Sequence, residues 1–173
     1  MRGDNVVLVG FMGAGKTVCG RLLARRLGRC FVETDDMITA REGRSIPEIF
    51  QHHGEARFRE LEGEMLERLR LKSGDVIATG GGLPCRDGHM DTLKSIGTVV
   101  WLRGDLAALR ERAGRAGDRP MLSGRSAEDV ERLYRQREPC YAQADLTIDT
   151  TGLGVDQVVM RMLTALREPH VLR

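Results

Sequence analysis

No apolar run in this sequence is long enough to span a bilayer, which excludes a helical transmembrane protein. The first apolar stretch, Val6 to Val9, leads straight into a glycine-rich loop, so no signal-peptide apolar region is expected ahead of the fold. Neither sign of charge is in excess: 27 Lys and Arg stand against 25 Asp and Glu, a formal net charge of +2. Basic and acidic residues alternate along most predicted helices, whereas a nucleic-acid-binding face needs basic residues gathered into a stripe. Nucleic acid and membrane are therefore not expected partners. Cysteine is sparse. Cys19, Cys30, Cys85 and Cys140 are far apart, with neither CxxC nor metal-ligand spacing, so reduced thiols in a cytoplasmic protein are expected. There is no internal repeat and no low-complexity tract. A length of 173 residues suits one domain spanning 1–173, acting as a monomer with one active site.

What is present alternates in period. NVVLVG is a short run rich in β-branched residues that ends in glycine, as a buried parallel strand does. Leu22, Leu23, Ala24 and Leu27 then give a helical apolar face that Gly28 stops, before a second strand in CFVETD. Ser45 with Glu48 forms a capping box for a long helix in which Phe58, Leu61, Met65 and Leu69 recur at helical spacing. VIATGGG, TVVWLR and LTIDT supply three more strands. Five strands alternating with helices predict an α/β fold of three layers, a parallel sheet with helices on both faces and ligands at the carboxyl ends of the strands. Ala113 to Ser126 departs from this pattern, rich in glycine, arginine and helix breakers, and reads as a mobile lid or a plain solvent loop.

GFMGAGKT, Gly10 to Thr17, satisfies G-x-x-x-x-G-K-[ST] between a strand and a helix, the context in which that motif cradles phosphate. Its glycines let backbone N–H groups converge on phosphate oxygens, and the helix N-terminus adds a positive dipole end. Gly13, Ala14, Gly15, Lys16, Thr17 and Val18 are thus candidate ATP contacts, with Lys16 on the β- and γ-phosphates and the Thr17 hydroxyl on Mg²⁺. A bare helix-capping glycine turn is the bland alternative, against which the full motif in context argues. A GTPase is disfavoured: DTTG, Asp149 to Gly152, fits DxxG only after the last strand, and NKxD is missing. VIATGGG ends in glycines rather than an acid, so metal-facing carboxylates must come from VETDD. There, strand alternation puts Glu33 and Asp35 on one face, where they could serve the metal shell and orient a hydroxyl nucleophile; a solvated helix start is the alternative, better suited to Asp36.

GFMGAGKT, the ETD of the second strand, FRELE, the GGG after the third strand, RPML and QREPCY follow one another in the order and spacing of shikimate kinases. From Val6 to about Thr150 the chain resembles that family, and the resemblance implies a nucleoside-monophosphate-kinase-like fold with a lid over ATP. It implies, further, that Asp35 contacts the hydroxyls of shikimate, that Arg59 and Arg137 hold its carboxylate, and that Gly81, within Gly80 to Gly82, lies against the ring. By the same resemblance Arg119 closes over the phosphates, Arg112 flanks adenine and Glu33 reaches Mg²⁺ through a water. Two guanidiniums suit a carboxylate, since each can bind it bidentately. Taken singly, Arg59 reads equally well as a helical ion pair with Glu55 and Glu62, Arg137 as one of a surface run with Arg132 and Arg135, and Arg119 as a loop charge. Two departures stand out: Glu33 occupies a position where the family usually has Asp, and Gly152 to Val155 shows no obvious match to the family's second adenine contact.

The expected reaction is transfer of the ATP γ-phosphate to the 3-hydroxyl of shikimate, giving shikimate 3-phosphate and ADP, a step toward chorismate and the aromatic amino acids. Lys16, Asp35 and Arg119 would carry it, with Mg²⁺ as cofactor. A kinase of the same fold acting on gluconate or a nucleoside monophosphate is the rival enzyme, and a nucleotide-binding module without catalysis is the rival from another class.

Overall fold

The structure, a computed structural model, describes residues 3–115 and 126–168. Five strands, β1 (Asn5–Val9), β2 (Phe31–Glu33), β3 (Val76–Ala78), β4 (Gly97–Arg103) and β5 (Leu146–Asp149), pair in parallel in the order β2-β3-β1-β4-β5. Seven helices accompany them among the described residues: α1 (Lys16–Leu27), α2 (Thr34–Glu42), α3 (Ile46–Leu69), α4 (His89–Ile96), α5 (Leu106–Arg115), α6 (Ala127–Tyr141) and α7 (Val155–Arg167). A short 3-10 turn, Leu83–Cys85, precedes α4. The sheet is the predicted one.

β1 sits in the middle because every one of its five residues is apolar or bonded inward. Val7 pairs with Ile77 on one side and Val99 on the other, and all three are fully buried. Asn5 is the polar exception, its amide donating to the carbonyls of Lys72 and Ile96 at 2.9 and 2.8 Å. The chain leaves β1 toward β2 and β3 on one flank and reaches β4 and β5 on the other. The strand order therefore reverses at β1, and the crevice outside its carboxyl end is where such sheets bind ligands. A second, smaller apolar cluster of Ile38, Ile49, Phe58, Leu61 and Met65 joins α2 to α3 beside that crevice.

The helix signals hold. Gly28 caps α1 in the left-handed region at φ 66°, and the Ser45–Glu48 capping box is formed. Phe58, Leu61, Met65 and Leu69 are buried on one side of α3. The single long helix read from the sequence is broken once, at Gly54, whose φ 75° and ψ 178° suit a residue without a Cβ. The edges of the expected lid also move inward. Ala113 belongs to α5 and is buried against the core, while Ser126 caps α6 through a hydrogen bond from the Asp129 N–H. The interior of that segment, Arg119 included, lies outside the described residues. Among those described, no helix is long and apolar enough to cross a membrane.

Candidate active site

One cleft of about 570 Å³ opens at the carboxyl ends of β1, β2 and β3, and the candidate residues that are described line it. Its floor is the loop from Gly10 to Gly15. A side chain at Gly13, where φ is 75°, would place its Cβ 2.0 Å from the Leu109 carbonyl oxygen, and Gly15 caps α1 at φ 86°. Only glycine satisfies both positions, so the loop can fold tightly enough to turn N–H groups into the cleft. The Lys16 ammonium lies back over this loop, donating to the carbonyls of Gly10 at 2.7 Å and Phe11 at 3.1 Å. One turn of chain holds a buried cation at the mouth of a helix dipole, an arrangement that attracts polyphosphate.

Thr17 and Glu33 meet across the cleft wall, the Thr17 hydroxyl donating to Glu33 Oε1 at 2.6 Å. The strand-alternation argument for Glu33 and Asp35 fails in detail. β2 ends at Glu33, which caps α2, and Asp35 sits in the first helical turn with Asp36. The helix starts early because the buried Thr34 hydroxyl accepts the Gly80 N–H at 2.9 Å, tying this turn to the exit of β3. Glu33 and Asp35 nonetheless both face the cleft. Asp35 lies so close to Gly80 that a Cβ there would come within 2.8 Å of its Oδ1.

Beside the glycine run, Arg59 is an ion-pair partner and also part of the cleft wall. It pairs with Glu55 at 2.9 Å and with Glu62 at 2.7 Å along α3, yet its Nη1 would stand 2.7 Å from a Cβ on Gly82. Arg137 reaches the same glycine from α6, its Nη2 3.1 Å from that Cβ position. Arg132 and Arg135 instead pair with Asp129 and Glu131 on their own helix, which separates Arg137 from the surface run. Glu62 is 1% exposed. Burial raises its carboxyl above the ordinary range, and the Arg59 hydrogen bond and charge, with Arg86 and Arg137, pull it back. Burial opposes the charge on Arg59, but the bonds to Glu62 and Glu55 outweigh it and raise its pKa.

Three contacts had no reading in the sequence. Arg86 donates to the Arg59 carbonyl at 2.7 Å, fastening the 3-10 turn to α3. The fully buried Tyr141 donates to the Gly81 carbonyl at 2.7 Å and fixes the glycine run against α6. QREPCY contained this tyrosine; a lone Arg86 offered no signal. At the far end of the cleft, Arg112 donates to the Thr150 hydroxyl and carbonyl, both at 3.2 Å. Leu153 and Val155 line the wall there, in the segment where the sequence showed no match, and Val18 and Val155 leave apolar surface open. DTTG is a turn: the Thr151 N–H donates to Asp149 Oδ1 at 2.8 Å, and that bond chiefly lowers the Asp149 pKa.

The family model for shikimate kinase matches residues 12–167. The chain belongs to the shikimate kinase family. A shikimate kinase of Geobacter sulfurreducens is 46% identical over 167 residues, covering 96% of this chain and 92% of that protein. The solved shikimate kinase of Acinetobacter baumannii in complex with shikimate superposes with a TM-score of 0.86 at 35% identity, over 94% of this chain and 92% of that one. The Aquifex aeolicus enzyme gives 0.84 at 36% identity, over 94% and 95%. As a shikimate kinase the chain is an ATP-dependent phosphotransferase with an alcohol group as acceptor.

Proposed function

We propose that the described cleft binds ATP along the Gly10–Thr17 loop and shikimate between Asp35, Arg59, Arg137 and the Gly80–Gly82 run. The convergence of Arg59 and Arg137 on Gly82, with Asp35 against Gly80, carries this reading. Two fixed guanidiniums match one planar carboxylate, and a third group two glycines away meets the hydroxyls on the other side of a small ring. Gly81 is then the surface on which the ring rests.

Backbone N–H groups of Gly13, Ala14 and Gly15 hold the phosphates, with Lys16 swinging from its carbonyl partners onto the β- and γ-oxygens. Val18, Arg112, Leu153 and Val155 receive the base. Arg119 belongs to the same reading, as the lid cation that meets the transferring group. Asp35 accepts a hydrogen bond from the 3-hydroxyl, aims its lone pair in line with the γ-phosphorus and takes the proton as the new bond forms. Positioning and charge balance supply most of the catalysis.

The oxygen pair of Thr17 and Glu33, 2.6 Å apart at the head of α1, fits a hard divalent cation. Thr17 would hold Mg²⁺ directly and Glu33 through a water. Bound there, Mg²⁺ would supply charge neutralisation for the nucleotide. No cluster of three acidic, His or Cys groups occurs among the described residues, in keeping with an ion carried mainly by phosphate and water. The extra methylene of Glu33 relative to Asp is absorbed at such a water-mediated position. The reading extends to an enzyme that acts as a monomer in the cytoplasm.

A coupled ADP-release assay with shikimate, quinate, gluconate and nucleoside monophosphates tests the proposal. Shikimate is expected to dominate kcat/KM. Preference for another acceptor overturns the substrate while leaving the kinase standing.

A further inference from the structure

Fifty-five positions separate Cys85 from Cys140 in the sequence, but the fold closes that gap. Cys85 ends the 3-10 turn that begins directly after Gly82, and Cys140 lies one helical turn beyond Arg137 on α6. The 3-10 turn packs against α6, and each thiol acts on the other's ionisation. Cys85 Sγ also lies 4.0 Å from the Arg137 carbonyl. Both are free and half-buried, within reach of a small reagent. The other two cysteines differ: Cys30 is exposed ahead of β2, and Cys19 is buried in α1, where burial pushes its thiol up to about 11.

We propose that Cys85 and Cys140 form a modification site for small disulfides, and that closing them into a protein disulfide switches off acceptor binding. The second half rests on the reading of Arg137 as a carboxylate ligand.

The pair is asymmetric in the sense such chemistry needs. The Cys140 hydrogen bond lowers the Cys85 thiol, against burial, and Arg137, Tyr141 and Arg59 add to the lowering. Cys140 is raised, by that same bond, by burial and by the charge on Cys85, with Arg137 opposing. Cys85 is thus the attacking thiolate and Cys140 the resolving thiol. Cys85 attacks one sulfur of a small disulfide, forming a mixed disulfide and releasing one small thiolate. Cys140 then gives up its proton and attacks the Cys85 sulfur, expelling the second small thiolate. Two protein thiols are oxidised and one small disulfide is reduced to two thiols.

The consequence for the acceptor follows from where the bond falls. Two unbonded sulfurs must close up by about 1.5 Å or more to bond covalently. That movement is shared between the turn carrying Gly82 and the helical turn carrying Arg137, the two sides of the carboxylate site. Displacement of this order at a positioning group costs on the order of tenfold to a hundredfold in rate. The nucleotide end of the cleft is built mainly on α1 and the Gly10–Gly15 loop, and neither of the two linked turns belongs to it.

The test incubates the full chain with oxidised glutathione and follows intact mass, linked peptides after proteolysis, shikimate kinetics and ATP affinity by calorimetry. The expected results are a loss of about 2 Da with a Cys85–Cys140 peptide, a fall in shikimate kcat/KM of about tenfold or more, and ATP affinity within about twofold, all reversed by dithiothreitol. Cys140→Ser should stop at a stable glutathione adduct on Cys85, and Cys85→Ser should form neither product. Absence of the linked peptide overturns the pairing, as does activity loss that tracks a Cys30 adduct alone. A linked enzyme with unchanged shikimate kinetics overturns the switch. Because the bond is read by mass, failure here is distinct from failure of the reduced enzyme to phosphorylate shikimate, which would overturn the acceptor assignment instead.

Discussion

Replacing Gly82 by alanine adds one methyl group at the point where Arg59 and Arg137 converge. The backbone there has φ −89° and ψ −20°, which alanine adopts without strain, so the fold should survive. The new Cβ would stand 2.7 Å from Arg59 Nη1 and 3.1 Å from Arg137 Nη2. Ordinary contact needs about 3.4 Å or more, so one guanidinium must retreat by roughly 0.7 Å and the other by roughly 0.3 Å. Arg59 has little freedom to do so, being tied to Glu62 at 2.7 Å, to Glu55 at 2.9 Å, and through its carbonyl to Arg86. Spoiling one charge-assisted contact costs about 1.5–3 kcal/mol, or about 10- to 150-fold in shikimate kcat/KM. Steady-state kinetics read this, alongside calorimetric ATP affinity and a thermal melt, both expected near wild type. Unchanged shikimate kinetics in a folded variant would refute the placement of the arginines, and an equal loss of ATP affinity would refute the separation of the two ends of the cleft.

Three further outcomes are expected. Glu62→Gln keeps the shape but removes the buried charge that anchors Arg59, so shikimate kcat/KM should fall by about tenfold while Glu55→Gln, at an exposed pair, changes it by less than about threefold. Glu33→Ala should raise the Mg²⁺ concentration for half-maximal rate at saturating shikimate, and Glu33→Asp should stay close to wild type; an unshifted metal dependence in the alanine variant would leave Glu33 without a metal role. Gly63→Ala, within α3 where an added Cβ meets nothing within 4 Å, should raise stability by about 0.5–1 kcal/mol in denaturant unfolding, with kinetics untouched.

The elements that could be read in the sequence are those with local causes. β1 is a buried β-branched run, Gly28 and the Ser45–Glu48 box are caps made within a few residues, and the phosphate loop is an eight-residue motif. The parallel sheet followed from alternation alone. What the sequence misread depends on contacts across the fold. β2 stops at Glu33 because Thr34 is held by Gly80, 46 residues on, so the period-two argument ran one residue too far. Gly54 broke α3 without any breaker pattern around it. Arg59 could not be separated from a helical ion pair by spacing, since it is one; only the glycine run opposite gives it a second face. The Tyr141 and Arg86 contacts and the approach of Cys85 to α6 arise from α3, α6 and the segment from Gly81 to Arg86 packing together, which no local pattern encodes.

Acceptor binding as proposed turns on recognition of a carboxylate by Arg59 and Arg137. Its most direct test compares kcat/KM for shikimate with that for its methyl ester, which keeps every hydroxyl and the ring but has no negative charge. Loss of a carboxylate bound by two guanidiniums predicts a drop of about a hundredfold or more for the ester, and a drop shrinking to less than about tenfold in Arg59→Ala or Arg137→Ala. Equal turnover of acid and ester by the wild-type enzyme would contradict the claim.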